Sequence, residues 1–279
     1  MSARFRLFRS IAAWLALAAV LPALATPAIA AQCGGNYNTF LGQMERDAQA
    51  AGVSAQVIGT AFAGLAPDQS VLAFDRRQHG MFHSKSFEDY ARTRVIPARI
   101  SRAKKLMAQD ADLLSRIERQ FGVPRELIMA IWTMETDNGT GDMGRLPVIR
   151  TLSTLAWDCR RTDLFQSELI AALKILQRGD LPLRDLIGAY AGEIGQTQFL
   201  PSSYIKYGVD YDRDGRVDLR HSVPDVLAST ANLLHTNGWQ PGQPYREGTA
   251  NFEAMREWNH SEVYRKTLVL FAEQLGGRP

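Results

Sequence analysis

From Thr39 onward apolar residues return at intervals of three and four, with turn-forming residues between the segments, and this periodicity commits the chain to helices. No run of alternating β-branched residues competes with it, no repeat of roughly 20 to 50 residues divides it, and no low-complexity linker interrupts it. Ser54 is predicted to cap a helix through Ala63, and Ser84 one through about Val95. Pro97 opens a long amphipathic stretch in which Ile100, Ala103, Met107, Leu114 and Ile117 share a face as far as Gly122. A new helix starts at Pro124, and others cover Arg161 to Gln177, Leu183 to Tyr190, Pro224 to Asn237 and Ser261 to Leu275. The expected fold class is mostly α with little β structure. One domain over residues 31–279 should carry a packed N-terminal helical extension, about residues 31–96.

The first thirty residues stand apart. Arg4, Arg6 and Arg9 precede an apolar run from Ile11 to Ala25, and Ala28-Ile29-Ala30 has the small-x-small pattern of a cleavage site. The run is too short to span a bilayer and Pro22 breaks it, so a cleaved secretory signal over 1–30 is expected, with periplasmic export. Gln32 before Cys33 does not fit a lipoprotein signal, and no lipid anchor is expected. The leader contains no Asp or Glu, so its three arginines account for the whole formal net charge of +3. A mature chain of zero net charge offers no electrostatic case for nucleic acid or for an anionic membrane.

Export also changes how the two cysteines read. In an oxidising compartment Cys33 and Cys159 have only each other as partners, and their disulfide would close a loop of more than 100 residues. Two buried thiols are the alternative. Neither cysteine has the spacing of a zinc site, and the five histidines form no HExxH arrangement.

The helix from Pro124 to Thr136 holds the most informative conflict. Ile128, Ile131 and Trp132 define its apolar stripe, and seven positions after Ile128 the stripe continues at Glu135. Partial burial and the negative end of the helix dipole both disfavour the carboxylate, and so favour an acid able to donate a proton near neutral pH. A surface glutamate at a fraying helix end, or one satisfied by a buried arginine, is the bland reading. The following Thr136-Asp137-Asn138-Gly139-Thr140-Gly141 suits a loop beside a cleft.

Long, ordered motifs accompany this helix. Phe121-Gly122-Val123-Pro124 through Glu135-Thr136, Leu155-Ala156, Arg160-Arg161, the run from Ala191-Gly192-Glu193-Ile194-Gly195-Gln196-Thr197-Gln198 to Tyr204, and Val226 to Trp239 are similar to the lytic murein transglycosylases of the membrane-bound lytic transglycosylase B group, glycoside hydrolase family 103. The resemblance implies a lysozyme-like α fold. It also implies cleavage of the β-1,4 bond between N-acetylmuramic acid and N-acetylglucosamine in peptidoglycan, leaving a 1,6-anhydromuramoyl end, with no cofactor required. Glu135 would be the catalytic acid and base. Gln198 would supply a cleft amide, Arg160 and Arg161 would contact the lactyl carboxylate or peptide stem, and Tyr90 would be a further cleft tyrosine. Trp258-Asn259-His260-Ser261-Glu262-Val263-Tyr264 resembles an aromatic-Asn-x-Ser-x-x-Tyr element, in which Trp258, Asn259 and Tyr264 line the cleft. On the residues alone, the arginines are an ordinary solvated helix end and Ser261 an ordinary helix cap.

Asp210-Tyr211-Asp212-Arg213-Asp214-Gly215-Arg216-Val217-Asp218 has the oxygen-ligand spacing of an EF-hand-type loop, with glycine at position 6 and His221 replacing the bidentate glutamate at position 12. Asp210, Asp212, Asp214, Arg216 and Asp218 are the candidate set for a structural calcium. Sodium, or a loop without metal, is the alternative. The expected partners are peptidoglycan glycan strands, with cell-wall synthesis or remodelling proteins left open and a monomer assumed. A hydrolytic muramidase and a catalytically idle glycan-binding envelope protein are the competing functions, and Glu135 together with Gln198 argues against the second.

Overall fold

The computed structural model describes residues 31–78 and 86–279; the expected leader and the cap expected at Ser84 lie outside the described residues. The chain begins with α1 (Tyr37–Ala50), α2 (Ala55–Phe62), α3 (Gln69–Gln78) and α4 (Phe87–Arg94). Asn36, Ser54 and Ser86 accept the backbone N–H three residues on and so cap α1, α2 and α4. The cap of α4 is therefore Ser86 and not Ser84. Next come α5 (Pro97–Gln109), α6 (Ala111–Phe121), α7 (Arg125–Thr136), α8 (Val148–Trp157) and α9 (Thr162–Arg178). The C-terminal part holds α10 (Pro201–Tyr207), α11 (Val223–Thr236), α12 (Ala250–Ala254) and α13 (Glu262–Leu275).

Two expectations fail here for physical reasons. The stretch from Pro97 to Gly122 is two helices, because Asp110 sits at ψ 23°, closing α5 and opening α6. The break lets the two halves face different neighbours: α5 packs on α7 and α13, whereas α6 packs on α7 and α11. The segment from Leu183 to Tyr190 is not a helix. A single 3-10 turn over Leu183–Asp185 gives way to β2 (Ile187–Gly188), which pairs antiparallel with β1 (Leu146–Pro147). Gly188 accommodates the pairing because a Cβ there would collide with the carbonyl of Glu193.

Around α7 the layers close on every side. Leu127 through Met134 are all buried, and α5, α6, α11 and α13 pack against them. Each large apolar side chain among them contributes about 1.5 to 3 kcal/mol by leaving water, so α7 is firmly anchored in the core. On the opposite flank α1, α2 and α3 rest on α8 and α9, while α4 rests on α13. Cys33 and Cys159 form a disulfide with Cα atoms 5.1 Å apart, tying the segment before α1 to the start of α9. Arg76 adds an ion pair to Asp158. Among the described residues no helix is long and apolar enough to cross a membrane.

Candidate active site

Glu135 lies in the last turn of α7, half-buried amid otherwise buried positions. Behind it, Asp137 closes the helix in the left-handed region at φ 50° and pairs with Arg99 at 2.7 Å, which turns this second acidic side chain out of the site. The end of α7 is clasped to the loop from Tyr190 to Leu200 by one residue. Gln196 accepts from Trp132 Nε1 at 2.9 Å and, through its backbone carbonyl, from the Thr136 hydroxyl at 2.5 Å. Gly195, at φ 79°, presses against the carbonyl of Leu219 where no side chain would fit.

Two donors reach the carboxyl from far along the chain. Tyr264 Oη donates to Glu135 Oε1 at 2.5 Å, and Trp258 Nε1 donates to the same oxygen at 3.2 Å. Tyr264 belongs to the first turn of α13, whose N-cap Ser261 is in turn steadied by Asn259 Oδ1 at 2.8 Å. Burial pushes the Glu135 carboxyl above its ordinary value; the two donors and Arg94 pull it down, Glu193 pushes it up, and the net direction is upward. Burial and the adjoining Glu135 carboxylate hold the Tyr264 phenol well above its ordinary value, so it stays a donor.

Glu135 opens into a recess of about 400 Å³ lined by Glu193, Thr197, Gln198, Phe199, Ser203, Glu257, Trp258, Asn259 and His260, among others. Gln198 stands at φ 56°, and its amide donates to the carbonyl of Gly195 at 2.8 Å. Left-handed backbone at a non-glycine residue costs energy and collects at sites where it sets direction. Trp258 packs edge-on against Phe199 with ring centroids 5.4 Å apart. Tyr90 on α4 stands close enough to raise the Tyr264 phenol, and its ring carries the Arg94 guanidinium at 5.3 Å.

The structure thus gathers Glu135, Gln198, Trp258 and Asn259 into one recess, with the buried Tyr264 bonded to the Glu135 carboxyl and Tyr90 near Tyr264. Arg160 and Arg161 are held elsewhere. Both guanidinium groups bind Asp75 of α3, a carboxylate only 1% exposed, Arg160 through two nitrogens and Arg161 at 2.8 Å. Sequence reasoning missed Glu193, Glu257 and Arg94 as neighbours of the carboxyl. Glu193 lies within the quoted motif, but nothing in its spacing says that it faces Glu135.

In the aspartate loop, Asp210, Asp212 and Asp214 each bring a carboxylate oxygen within 4.8 Å of the others. Asp218 accepts instead from the backbone of Arg220 and His221 and lies 3.0 Å from His221 Nδ1. The Arg216 guanidinium pairs with Asp214 at 2.9 Å. Beside the loop a larger cleft of about 730 Å³, which includes Arg116, Arg119 and Arg213, is separate from the Glu135 recess.

The family model described as the Transglycosylase SLT domain matches residues 36–249. The chain belongs to that family. Among its relatives, the membrane-bound lytic murein transglycosylase B of Escherichia coli (strain K12) is 35% identical over 155 residues, 55% of this chain and 42% of the relative, so the match spans less than half the relative's length. The SLT-domain fold extends to SltB3 from Pseudomonas aeruginosa, solved in complex with NAG-anhNAM-pentapeptide: 30% identity, TM-score 0.79, covering 88% of this chain and 80% of that one. Soluble lytic transglycosylase SltB1 from the same organism is 25% identical with TM-score 0.77, covering 86% and 98%. The lysozyme-like, mostly α fold expected from the sequence is the one these transglycosylase structures share.

Proposed function

We propose that this chain is a peptidoglycan lytic transglycosylase. The observation that carries the reading is a single carboxyl, Glu135, raised by burial and gripped at one oxygen by Tyr264 and Trp258 while it faces an open recess. Membership in the SLT-domain family and the likeness to SltB3 with its anhydromuramoyl ligand support it. Glu135 protonates the glycosidic oxygen and the C1–O bond breaks. The resulting carboxylate then takes the proton of the muramic C6 hydroxyl as that oxygen attacks C1, which closes a 1,6-anhydro ring without water and returns Glu135 to its acid form. Ordinary glycosidases divide these tasks between two carboxyl groups. Gln198 and Asn259 offer amide donors and acceptors to the sugar, and Trp258 offers a ring face.

The export signal over residues 1–30 supports a periplasmic site of action on glycan strands. The three converging carboxylates of the aspartate loop fit a hard, oxygen-liganded cation such as calcium in a structural role, weakly held because Asp218 and His221 are engaged with each other.

Purified peptidoglycan digested with the protein tests the reading by mass. Muropeptides lighter by one water at the muramic end are expected. Hydrated ends alone would replace the reading with a hydrolytic muramidase, which the presence of Glu193 in the recess favours as the second choice. Glu135→Gln should fold and lose about 10²- to 10⁴-fold or more in turnover; substantial cleavage by that variant would remove Glu135 from the chemistry.

A further inference from the structure

The recess contains a carboxylate that the proposed steps do not use. Glu193 lines it together with Glu135, and its position is set by a tight turn. Its Oε2 accepts from Ala191 N at 2.8 Å and its backbone carbonyl accepts from Ala189 N at 2.8 Å. The next residue, Ile194, exchanges backbone hydrogen bonds with Phe199 at 2.7 and 3.0 Å. Before it, Gly192 at φ 85° is pressed on Leu152 so closely that a Cβ would strike that side chain at 2.6 Å. A side chain bonded to its own turn, on a turn pinned at both ends, cannot carry its charge away from the recess.

Several groups besides Glu193 face Glu135 or share its recess. From the C-terminal segment come Trp258 and Tyr264, both donors, with Glu257 and His260 in the recess wall. From α4 comes Arg94, with Tyr90 beneath its guanidinium. The Arg94 guanidinium and the Glu193 carboxylate therefore act on Glu135 in opposite senses.

We propose that Glu193 is a positioning residue for the proton on Glu135: its fixed negative charge holds Glu135 as the acid before cleavage and makes it the stronger base afterwards. Like charge in one site disfavours ionisation of the neighbour, and the upward push of Glu193 on Glu135 has that sign. For a single group that must both give and recover a proton, this charge matters twice. Without it Glu135 would ionise earlier as pH rises, and as carboxylate it would draw less strongly on the C6 hydroxyl. The inference rests on Glu135 being the acid and base proposed above.

Its test follows the titration of Glu135 directly. Trp258 donates to that carboxyl, so the pH-dependent part of the tryptophan fluorescence that disappears in Glu135→Gln reports the proton on Glu135, whatever reaction the enzyme performs. Glu193→Gln removes the charge but keeps an acceptor for Ala191 N; Glu193→Ala removes both. Each should move the Glu135 midpoint to lower pH by about half a unit or more, and the alkaline limb of the kcat profile should move with it. An unmoved midpoint in both variants, or a shift in Glu193→Ala alone, would overturn the proposal. So would a rise in the share of anhydro over hydrated products in Glu193→Gln, because that would make Glu193 a base for water. The fluorescence midpoint keeps its meaning even if no anhydro product is found, so the two readings fail separately.

Discussion

Replacing Tyr264 by phenylalanine deletes one hydroxyl and leaves the buried ring in place, which isolates the shortest contact made to the Glu135 carboxyl, 2.5 Å. A hydrogen bond to a charged group contributes about 1.5 to 3 kcal/mol, and about 1.4 kcal/mol corresponds to one pH unit of titration. The phenol favours the carboxylate over the acid, so its loss must raise the Glu135 midpoint. Trp258 keeps its bond to the same oxygen at 3.2 Å, which places the expected rise near the lower end, about one unit. The direction is opposite to that of Glu193→Gln, and the two variants together bracket the wild-type value. Fluorescence titration and the alkaline limb of kcat measure it. Below the wild-type midpoint the first proton transfer should be little affected, since Glu135 is already the acid there. A midpoint that falls or stays put in Tyr264→Phe would refute the claim that the phenol stabilises the ionised form.

Serine at both Cys33 and Cys159 should lower stability by up to about 5 kcal/mol in the loop-entropy model, given the separation of 126 residues; thermal melts under oxidising conditions check it, and an unchanged melting temperature would count against the bond as a stabiliser. Asp75→Asn should destabilise by about 2 kcal/mol or more, below the ~3 to 5 of a fully enclosed pair because both arginines keep solvent contact; denaturant melts decide it. Burial pushes Asp75 upward, but Arg160 and Arg161 outweigh it and hold the carboxyl below its ordinary 3.8, so its stabilising contribution is present above about pH 4 and is lost as pH falls further. Calcium at millimolar levels should raise the melting temperature of chelator-stripped protein, and Asp212→Asn should largely remove the rise. No calcium response would leave the aspartate loop without a cation.

The helices were legible where periodicity and caps agreed. Ser54, Ser261 and the proline at 124 mark their helix starts within a residue, and the Glu135 conflict on the α7 stripe points straight at the recess. Periodicity could not reveal the break at Asp110, because apolar residues recur on both sides of it and the change of direction is dictated by separate neighbours. Leu183 to Tyr190 failed because its few apolar positions suit a 3-10 turn and a two-residue strand as well as a helix. The recess partners of Glu135 come from α4, from the loop before Leu200 and from the C-terminal segment, and pairings so distant in sequence leave no local trace. The arginine pair illustrates the same limit: nothing near Arg160 and Arg161 in sequence points to their shared ion-pair partner Asp75, 85 residues before Arg160.

The two donors to Glu135 stand 123 and 129 residues after it, so the order of synthesis has a consequence for when the site becomes competent. A nascent chain that has emerged as far as residue 249 contains α7, the loop with Gln198 and the whole segment matched by the family model, yet Glu135 in it has neither Trp258 nor Tyr264. Its carboxyl gains both donors only when α13 docks against α7. The segment after residue 257 thus completes the hydrogen bonding of Glu135, and a chain stalled or clipped before residue 258 would lack Trp258, Asn259 and His260 of the recess wall together with both donors.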